Sequence, residues 1–559
     1  MNPCLKSIKS NCKNCYKCIR NCPVKSIRFD DDQATIIQDE CVLCGSCFLV
    51  CPQGVKIIRN DVIKAQEFIA SGKPVYVSLA PSFVANYKGA TIETMNVALK
   101  KLGFTAVEET AIGATIVKNA YDELVDGGNQ DIIISTCCHS VNLLVQKHYP
   151  EAIKYLAQVQ SPMIAHCAKI KKEHPDAYTV FIGPCIAKKD EADRYPEYVD
   201  CVLTYLELTE WLEQADIKIE RKLFSSEEKG KARLFPTTGG ILKTMRCDNP
   251  EYTYMMVDGE TNCAHAIEDI LAGKVHHCFI EMSSCVGSCV NGPMMDKTER
   301  NPVEDFYRVS KYAGVKDFDV EKISYNKLLK PMENLKKEVL IPSEEEIQYI
   351  FKKLGKKSID DELNCGSCGY DTCREKAIAV CQGKANMFMC LPYLKEKSES
   401  FSNSIIKNTP NGIVVLNENL EIQLMNKSIC RMLKIDHHVS RVGEKIDNYI
   451  DPFIFANALV SDSDAKTKKM VLGNTGRFVE VTIMHDNKYR IIIALLRDIT
   501  QEEEARKTKE VMSQQTIEVA DRVIEKQMRV VQEIASLLGE TTAETKVALT
   551  KLKETLKNE

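Results

Sequence analysis

Thr136-Cys137-Cys138, Gly183-Pro184-Cys185-Ile186-Ala187-Lys188-Lys189-Asp190-Glu191 and Glu281-Met282-Ser283-Ser284-Cys285-Val286-Gly287-Ser288-Cys289 decide how the middle of this 559-residue chain is read. Each follows an apolar run of strand character: Asp131 to Ser135, Tyr178 to Ile182, and Cys278 to Ile280. In an open α/β sheet, ligands bind where the carboxyl ends of strands meet the loops. Four cysteines delivered to one such edge can hold an iron–sulfur cluster. Taken singly the stretches are weak signals. In this order, with Lys188 and Glu191 at set offsets from Cys185, they are specific.

The length leaves room for roughly three to five domains. A net charge of −4 makes no electrostatic case for nucleic acid. No run approaches the roughly 18 apolar residues of a membrane span, and the first residues lack a signal-peptide core. Most of the 25 cysteines stand in metal-type spacings, which predicts bound iron and a reducing, cytoplasmic setting rather than disulfides.

Cys12, Cys15, Cys18 and Cys22-Pro23 form C-x2-C-x2-C-x3-C-P, and Cys41, Cys44, Cys47 and Cys51-Pro52 repeat it. This is the bacterial two-cluster ferredoxin spacing, in which the fourth cysteine of each run ligates the other cluster. It assigns Cys12, Cys15, Cys18 and Cys51 to one [4Fe–4S] cluster and Cys22, Cys41, Cys44 and Cys47 to a second. Zinc is the competing reading. Cys4 lies outside the pattern.

From residue 61 to 345 short apolar strands alternate with amphipathic helices, which predicts α/β layers with parallel strands. Over this stretch the three cysteine segments, together with Leu79-Ala80-Pro81-Ser82, Gln160-Ser161-Pro162 and Phe235-Pro236-Thr237-Thr238-Gly239-Gly240, resemble the [FeFe]-hydrogenases. The resemblance implies an H-cluster. Its cubane would be ligated by Cys138, Cys185, Cys285 and Cys289, and Cys289 would also bridge to a diiron unit carrying CO and cyanide. Lys188 would donate to a cyanide, and Ala80, Pro81, Ser82, Phe235 and Ser283 would line the pocket. Cys137 stands at the family's proton-transfer position, where a thiol whose pKa is tuned towards neutral is suitable. A spare core cysteine is the competing reading.

The chain also departs from that family. Ser283 stands where the pattern has Met, Met163 where it has Gln, and Ala157 where a pathway serine is expected. The segment Ile116-Val117-Lys118-Asn119-Ala120 lacks the pathway glutamates, with Asp122 a candidate substitute, while Glu191 is retained. His139 follows the first ligand, where a surface or helix-capping histidine is expected. A relay short of carboxylates passes protons slowly. Cys167, Cys201, Cys247, Cys263 and Cys278 show no ligand spacing and read as core.

Cys365, Cys368, Cys373 and Cys390 form C-x2-C-x4-C-x16-C, with glycines for tight turns. They resemble a small four-cysteine [4Fe–4S] domain, with zinc as the rival. Cys381 breaks the spacing. Beyond Pro392 the segments Thr409-Pro-Asn-Gly-Ile413, Met425-Asn426 and Arg497-Asp498-Ile499-Thr500 bracket strand-like runs and resemble a PAS domain. Its ligand is unreadable, and His437 and His438 read as loop residues. A charged helix follows, with Ile517, Ile524, Val531, Ile534 and Leu538 as a partial seam. Gly539 interrupts it, and Thr541 to Glu544 resembles a capping box.

The expected architecture is multidomain α+β and α/β. A two-cluster ferredoxin domain spans 1–60, an H-cluster domain 61–345, a four-cysteine cluster domain 346–397, a PAS domain 398–503 and a helical output segment 504–559. The order resembles sensory [FeFe]-hydrogenases. It implies reversible, low-turnover conversion of protons and electrons to H2, with ferredoxin as redox partner and the hydrogenase maturation machinery as loader. The helix would serve a homodimer or a separate kinase or phosphatase. Neither nucleic acid nor membrane is expected as a partner. The alternatives are a metabolic ferredoxin-linked hydrogenase with an accessory PAS domain and a hydrogenase-like assembly factor without the diiron unit.

Overall fold

A computed structural model describes residues 3–8, 12–222, 228–296, 301–437, 439–455, 466–473, 475–538 and 543–557. Two compact units emerge, Met1–Tyr393 and Leu394–Glu559. His438, Gly539 and Thr541 of the sequence analysis fall outside the described residues.

The first unit opens with the cysteine repeat. Leu5–Ser7 pairs antiparallel with Lys56–Ile58, and Ile27–Asp30 with Gln33–Ile36. Short helices Lys17–Arg20 and Ser46–Val50 carry Cys18 and Cys47. The two halves share an unusual backbone. Asn14 and Tyr16 have φ of 52° and 55°, and their equivalents Leu43 and Gly45 have φ of 59° and 82°. In the second loop the Leu43 N–H donates to Cys41 Sγ at 3.4 Å, and past the first run the Ser26 N–H donates to Cys22 Sγ at 3.3 Å.

The central region holds two parallel sheets, one ordered Ala106–Glu109, Val75–Leu79, Tyr178–Gly183, Cys201–Thr204, the other Thr253–Asp258, Cys278–Ser283, Ile132–Ile134. Ile132–Ile134 and Cys201–Thr204 are buried at every position. Continuous burial is what parallel strands covered on both faces require, and it explains their uninterrupted apolar sequence. Helices Ile92–Lys101, Ala111–Gly127, His139–His148, Pro162–Glu173 and Ala187–Arg194 connect and cover the strands.

One charge network, joined through Asp61, welds the region. Lys189, with no exposed surface, donates to Asp61 at 2.7 Å, Glu207 at 2.9 Å and the Val202 carbonyl at 2.9 Å. Arg59, from the end of the ferredoxin-type segment, reaches Asp61 at 2.9 Å and Asp193 at 2.6 Å. The unit closes with Glu344–Lys353, opened by a Ser343–Glu346 capping box, packed through Ile347 and Phe351 on Ala377 of helix Cys373–Cys381. This helix begins two residues before the expected boundary at 346. Leu391–Asn408 is one helix starting immediately after Cys390, with Pro392 in its first turn where proline fits.

The second unit is built on a five-stranded antiparallel sheet ordered Ile422–Met425, Gly412–Asn417, Ile491–Asp498, Arg477–Asp486, Lys466–Leu472. Residues alternate between buried and half-buried along Gly412–Asn417. Asn426 organises the turn into helix Lys427–Leu433: its Oδ1 accepts from Ile413 N–H and Ile429 N–H, and its Nδ2 donates to the Ile406 and Asn411 carbonyls. Helix Thr500–Leu538 packs with Ala543–Lys557, and Asp521 pairs with Lys553 at 3.1 Å. The seam residues Ile517, Ile524 and Val531 are half-buried, whereas Met512, Val519, Val523, Val530 and Ile534 are exposed. Ile534 therefore does not extend the covered seam.

Lys189→Met takes the buried cation from Glu207 and leaves Asp61 to Arg59 alone. It is expected to cost about 3–5 kcal/mol, read as a fall in the thermal midpoint. An unchanged midpoint would show that the network is not a weld.

Candidate functional site

Each of the three cysteine segments leaves the carboxyl end of a parallel strand. Cys137 and Cys138 follow Ile132–Ile134, Cys185 follows Tyr178–Gly183, and Cys285 follows Cys278–Ser283. Cys289 sits in the single 3-10 turn Ser288–Asn291. Cys285 lies within electrostatic reach of Cys185, Cys138 and Cys289. The Ser284 amide donates to Cys138 Sγ at 3.5 Å.

Beside these thiols is a cavity of about 110 Å³. Its wall includes Cys137, Cys138, Cys185, Cys289, Lys188, Ala80, Pro81, Ser82, Phe235 and Met163. Tyr205 fixes the Ala80–Ser82 turn: its hydroxyl donates to the Ala80 carbonyl at 2.8 Å and accepts from Ser82 Oγ at 2.8 Å. Ser283 is not part of this wall, and its hydroxyl pairs with Ser288 Oγ at 2.9 Å.

The cavity's cation stands on a buried carboxylate. Lys188 Nζ donates to the Cys137 carbonyl at 3.1 Å and to Glu191 Oε2 at 2.5 Å. Burial opposes its ammonium, but the Glu191 carboxylate outweighs burial and raises the pKa. Glu191 has no exposed surface; burial raises its pKa, but the lysine charges prevail and hold it well below the usual carboxylate range. It also pairs with Lys330 and accepts from Ser161 Oγ at 3.0 Å. His139 is not the surface or capping residue expected from its position. It is 2 % exposed, its Nε2 is 2.8 Å from Asp190, and its Nδ1 is 4.0 Å from Glu191. The pairing with Asp190, on helix Ala187–Arg194, draws the ring inside.

Cys137 Sγ is 3.2 Å from the Tyr121 hydroxyl, which also accepts from the Thr136 amide at 2.9 Å. Burial pushes the thiol up to about 12, so it is not tuned towards neutral in this pocket and keeps its proton. Asp122, the candidate substitute carboxylate, is held elsewhere: it lies 3.5 Å from Lys118 and accepts from the Arg246 amide at 3.1 Å. Sequence reasoning missed Tyr121 and Lys330. It also missed Glu281, whose carboxyl burial pushes up to about 7 and whose charge acts on Cys137.

The ferredoxin-type cysteines lie close together: Cys18 is within electrostatic reach of Cys12, Cys15 and Cys51, and Cys47 of Cys41, Cys22 and Cys18. Cys44 is close enough to act on Cys285, and Gly45 makes that approach possible. A Cβ at Gly45 would stand 2.7 Å from Pro293 and 2.9 Å from Ile186, which lie near Cys289 and next to Cys185 in the chain. Cys365, Cys368, Cys373 and Cys390 line one hollow with Lys376. Among the described residues no three His, Cys, Asp or Glu converge as ligands of one ion do; a cubane keeps its four thiolates farther apart. Thiols in fours, amides donating to sulfur and buried ammonium groups fit anionic iron–sulfur clusters. Of the remaining cysteines, Cys167, Cys201, Cys263 and Cys278 are buried as expected, while Cys247 is only half-buried, at a left-handed turn.

Comparison with known proteins agrees with this arrangement. Residues 73–293 match the iron only hydrogenase large subunit, C-terminal domain family, and residues 11–55 the 4Fe-4S dicluster domain family. Residues 361–392 match a third family, of an iron–sulfur cluster domain. The chain is 24% identical over 301 residues to the periplasmic [Fe] hydrogenase large subunit of Nitratidesulfovibrio vulgaris, covering 43% of this chain and 70% of that one. It is 22% identical over 271 residues to a cytosolic Fe-S cluster assembly factor of Kluyveromyces lactis, covering 42% and 57%. A solved apo [FeFe]-hydrogenase of Chlamydomonas reinhardtii aligns at 18% identity and TM-score 0.38, over 45% of this chain and 88% of that one. A further hydrogenase subunit, from Solidesulfovibrio fructosivorans, is matched over 55% of its length. The chain is thus an [FeFe]-hydrogenase-like iron–sulfur protein. Among the described residues no helix is long and apolar enough to cross a membrane.

Two expectations follow from buried charges here. Glu260, 6 % exposed and lacking a hydrogen-bond partner for either oxygen among the described residues, is pushed by burial from 4.5 up to about 7. The folded state therefore holds an extra proton between these values, and stability falls as pH rises through them. Glu260→Gln is expected to raise stability at pH 8 by up to about 3 kcal/mol, with the gain vanishing near pH 4.5. A pH-independent difference in melting would refute this. Lys376 is 2 % exposed, and burial pulls it down to about 8 beside Cys368 and Cys390. Lys376→Met is expected to lower the midpoint potential of a cluster held there, with about 60 mV for each tenfold change in the one-electron equilibrium. Redox titration followed by EPR reads it, and no shift would place the ammonium off the cluster.

Proposed function

We propose that the protein is a hydrogen or redox sensor, with slow H2 activation in the pocket around Cys137 and Lys188 and output through the second unit to a partner. The observation that carries this reading is the single cavity shared by Cys137, Lys188, Phe235, Ala80 to Ser82 and three of the four cubane-ligand candidates. Cys138, Cys185, Cys285 and Cys289 would hold the cubane, and Cys289 would also hold the diiron unit. When bound, that unit with its CO and cyanide supplies heterolytic cleavage of H2. The chain's own residues do the rest. Lys188 offers a fixed ammonium to an anionic ligand, and Glu191 keeps it charged. The Ala80–Ser82 turn and Phe235 exclude water. Cys137 Sγ, protonated at rest, gives up its proton and takes it back.

Slow turnover is supported by what lies beyond that thiol. Its neighbour Tyr121 is occupied by the Thr136 amide, and Asp122 is engaged with Lys118 and Arg246. The strand order of the second unit and its Asn426 turn agree with a PAS domain. A separate kinase or phosphatase, or a second copy, would receive the signal. Electrons would exchange with a ferredoxin, the maturation machinery would load the diiron unit, and the setting would be cytoplasmic. An iron–sulfur assembly role without the diiron unit is the second reading, favoured by the likeness to the Kluyveromyces lactis protein.

Infrared spectra of the anaerobically purified, diiron-loaded protein test the proposal. CO and cyanide bands that shift under H2 are expected. Cys137→Ala should keep the bands and lower turnover by about 100-fold or more. A full complement of cubanes without such bands would overturn the hydrogenase reading and leave the assembly role. High turnover would point to a metabolic hydrogenase.

A further inference from the structure

The loop carrying the first two cysteines of the third set is seated on the ferredoxin-type module, between Cys18 and Cys22. Arg20 Nε donates to the Gly366 carbonyl at 3.3 Å and its Nη2 to the Ser367 carbonyl at 3.2 Å. Lys25 Nζ donates to the Gly369 carbonyl at 3.2 Å and pairs with Asp371 at 3.3 Å. On the far side the Phe29 amide donates to the Lys384 carbonyl at 2.8 Å, and Lys384 pairs with Glu40 at 2.6 Å. The approach is close enough to demand glycine: Gly369 has φ of +94°, and a Cβ there would stand 2.9 Å from the Ile19 side chain and 3.2 Å from the Arg20 amide.

Two tyrosines fill the seam. Tyr16 lies within electrostatic reach of both Cys12 and Cys368, and Tyr370 of both Cys368 and Cys22. Tyr370 is 3 % exposed, and its hydroxyl has no hydrogen-bond partner among the described residues. A buried phenol O–H left without a protein acceptor is costly unless a bound group accepts from it, and cluster sulfur is such an acceptor.

We infer that the four-cysteine module of residues 365–390 is a fixed electron port of the ferredoxin-type module, held in register by Arg20, Lys25 and Lys384 and bridged by Tyr370. The step it permits is a one-electron exchange. One electron leaves a ferredoxin-type cluster, which is oxidised by one unit, and arrives at the third cluster, which is reduced by one unit. No proton or further reactant is required. This rests on the cluster assignments of the proposed function but not on its diiron unit. It names the branch by which redox state would leave the catalytic region, since Cys44 of the same ferredoxin-type set acts on Cys285.

The test uses the full chain reconstituted with iron and sulfide alone, reduced with dithionite and read by EPR. The wild type is expected to show spin–spin broadening between the third cluster and its ferredoxin-type neighbours. Arg20→Glu combined with Lys25→Glu should lose that broadening at unchanged iron content. Broadening absent from the wild type, or unaltered in this double variant, would overturn the inference. Should the double variant fail to keep its iron, Lys384→Glu alone and the swap Glu40→Lys with Lys384→Glu decide. Weaker broadening in the single variant, restored by the swap, supports the port, and equal spectra overturn it. Failure of the infrared experiment leaves this outcome untouched, and the reverse holds, so the two proposals fall separately.

Discussion

A carboxylate with no exposed surface, Glu191, sets the terms for the rest of the first unit. A buried charge survives only when opposite charge and hydrogen bonds surround it. Here the partners come from four places in the chain: Lys188 from the same helix, Ser161 from the start of Pro162–Glu173, His139 from the turn after Cys138, and Lys330 from an extended segment otherwise poor in regular structure. That segment is tied down further by the Lys330 amide on the Gln158 carbonyl and the Gln160 amide on the Leu328 carbonyl. Removing any partner strands charge in the interior. The positions of the cysteine turn, the pocket cation and the closing segment are therefore one arrangement, not three.

The ferredoxin-type module is seated by the same kind of force. Arg59, Asp61, Lys189, Glu207 and Asp193 form a continuous run of ion pairs across its junction with the parallel sheet. Gly45 brings the Cys44 loop against Pro293 and Ile186. Charge fixes the register and a missing side chain permits the approach, which places one cluster site beside the pocket cysteines.

Much of this was legible from residue spacing. Cysteine runs with proline after the last ligand are local, and the strands leading to Cys137, Cys185 and Cys285 announce themselves as short apolar runs. The pocket residues Ala80, Ser82, Lys188 and Phe235 were reachable because their motifs resemble a known family. What stayed hidden depends on partners far along the chain. Lys330 is 139 residues from Glu191, and Tyr121 is 16 from Cys137, so neither carries a local mark. His139 was misread because local helix-end chemistry suggested exposure, while Asp190, 51 residues on, supplies a buried partner. The C-terminal seam was only partly read: periodicity marks an apolar stripe, but not whether the chain's own last helix covers it.

The two halves of the cysteine repeat adopt the same left-handed backbone at equivalent positions, yet one uses glycine and the other tyrosine. Gly45 vacates space for Pro293. Tyr16 accepts a conformation that costs a side-chain-bearing residue about 1–2 kcal/mol and sets its ring edge-on to Phe29 at 5.0 Å, beside Cys368. A duplicated motif is by construction indifferent to direction. This single divergence gives it a front and a back: a socket that admits the region of the parallel sheets, and an aromatic plug turned towards the third set of cysteines. Exchanging the two residues would keep both loops' spacing and erase the polarity of the module.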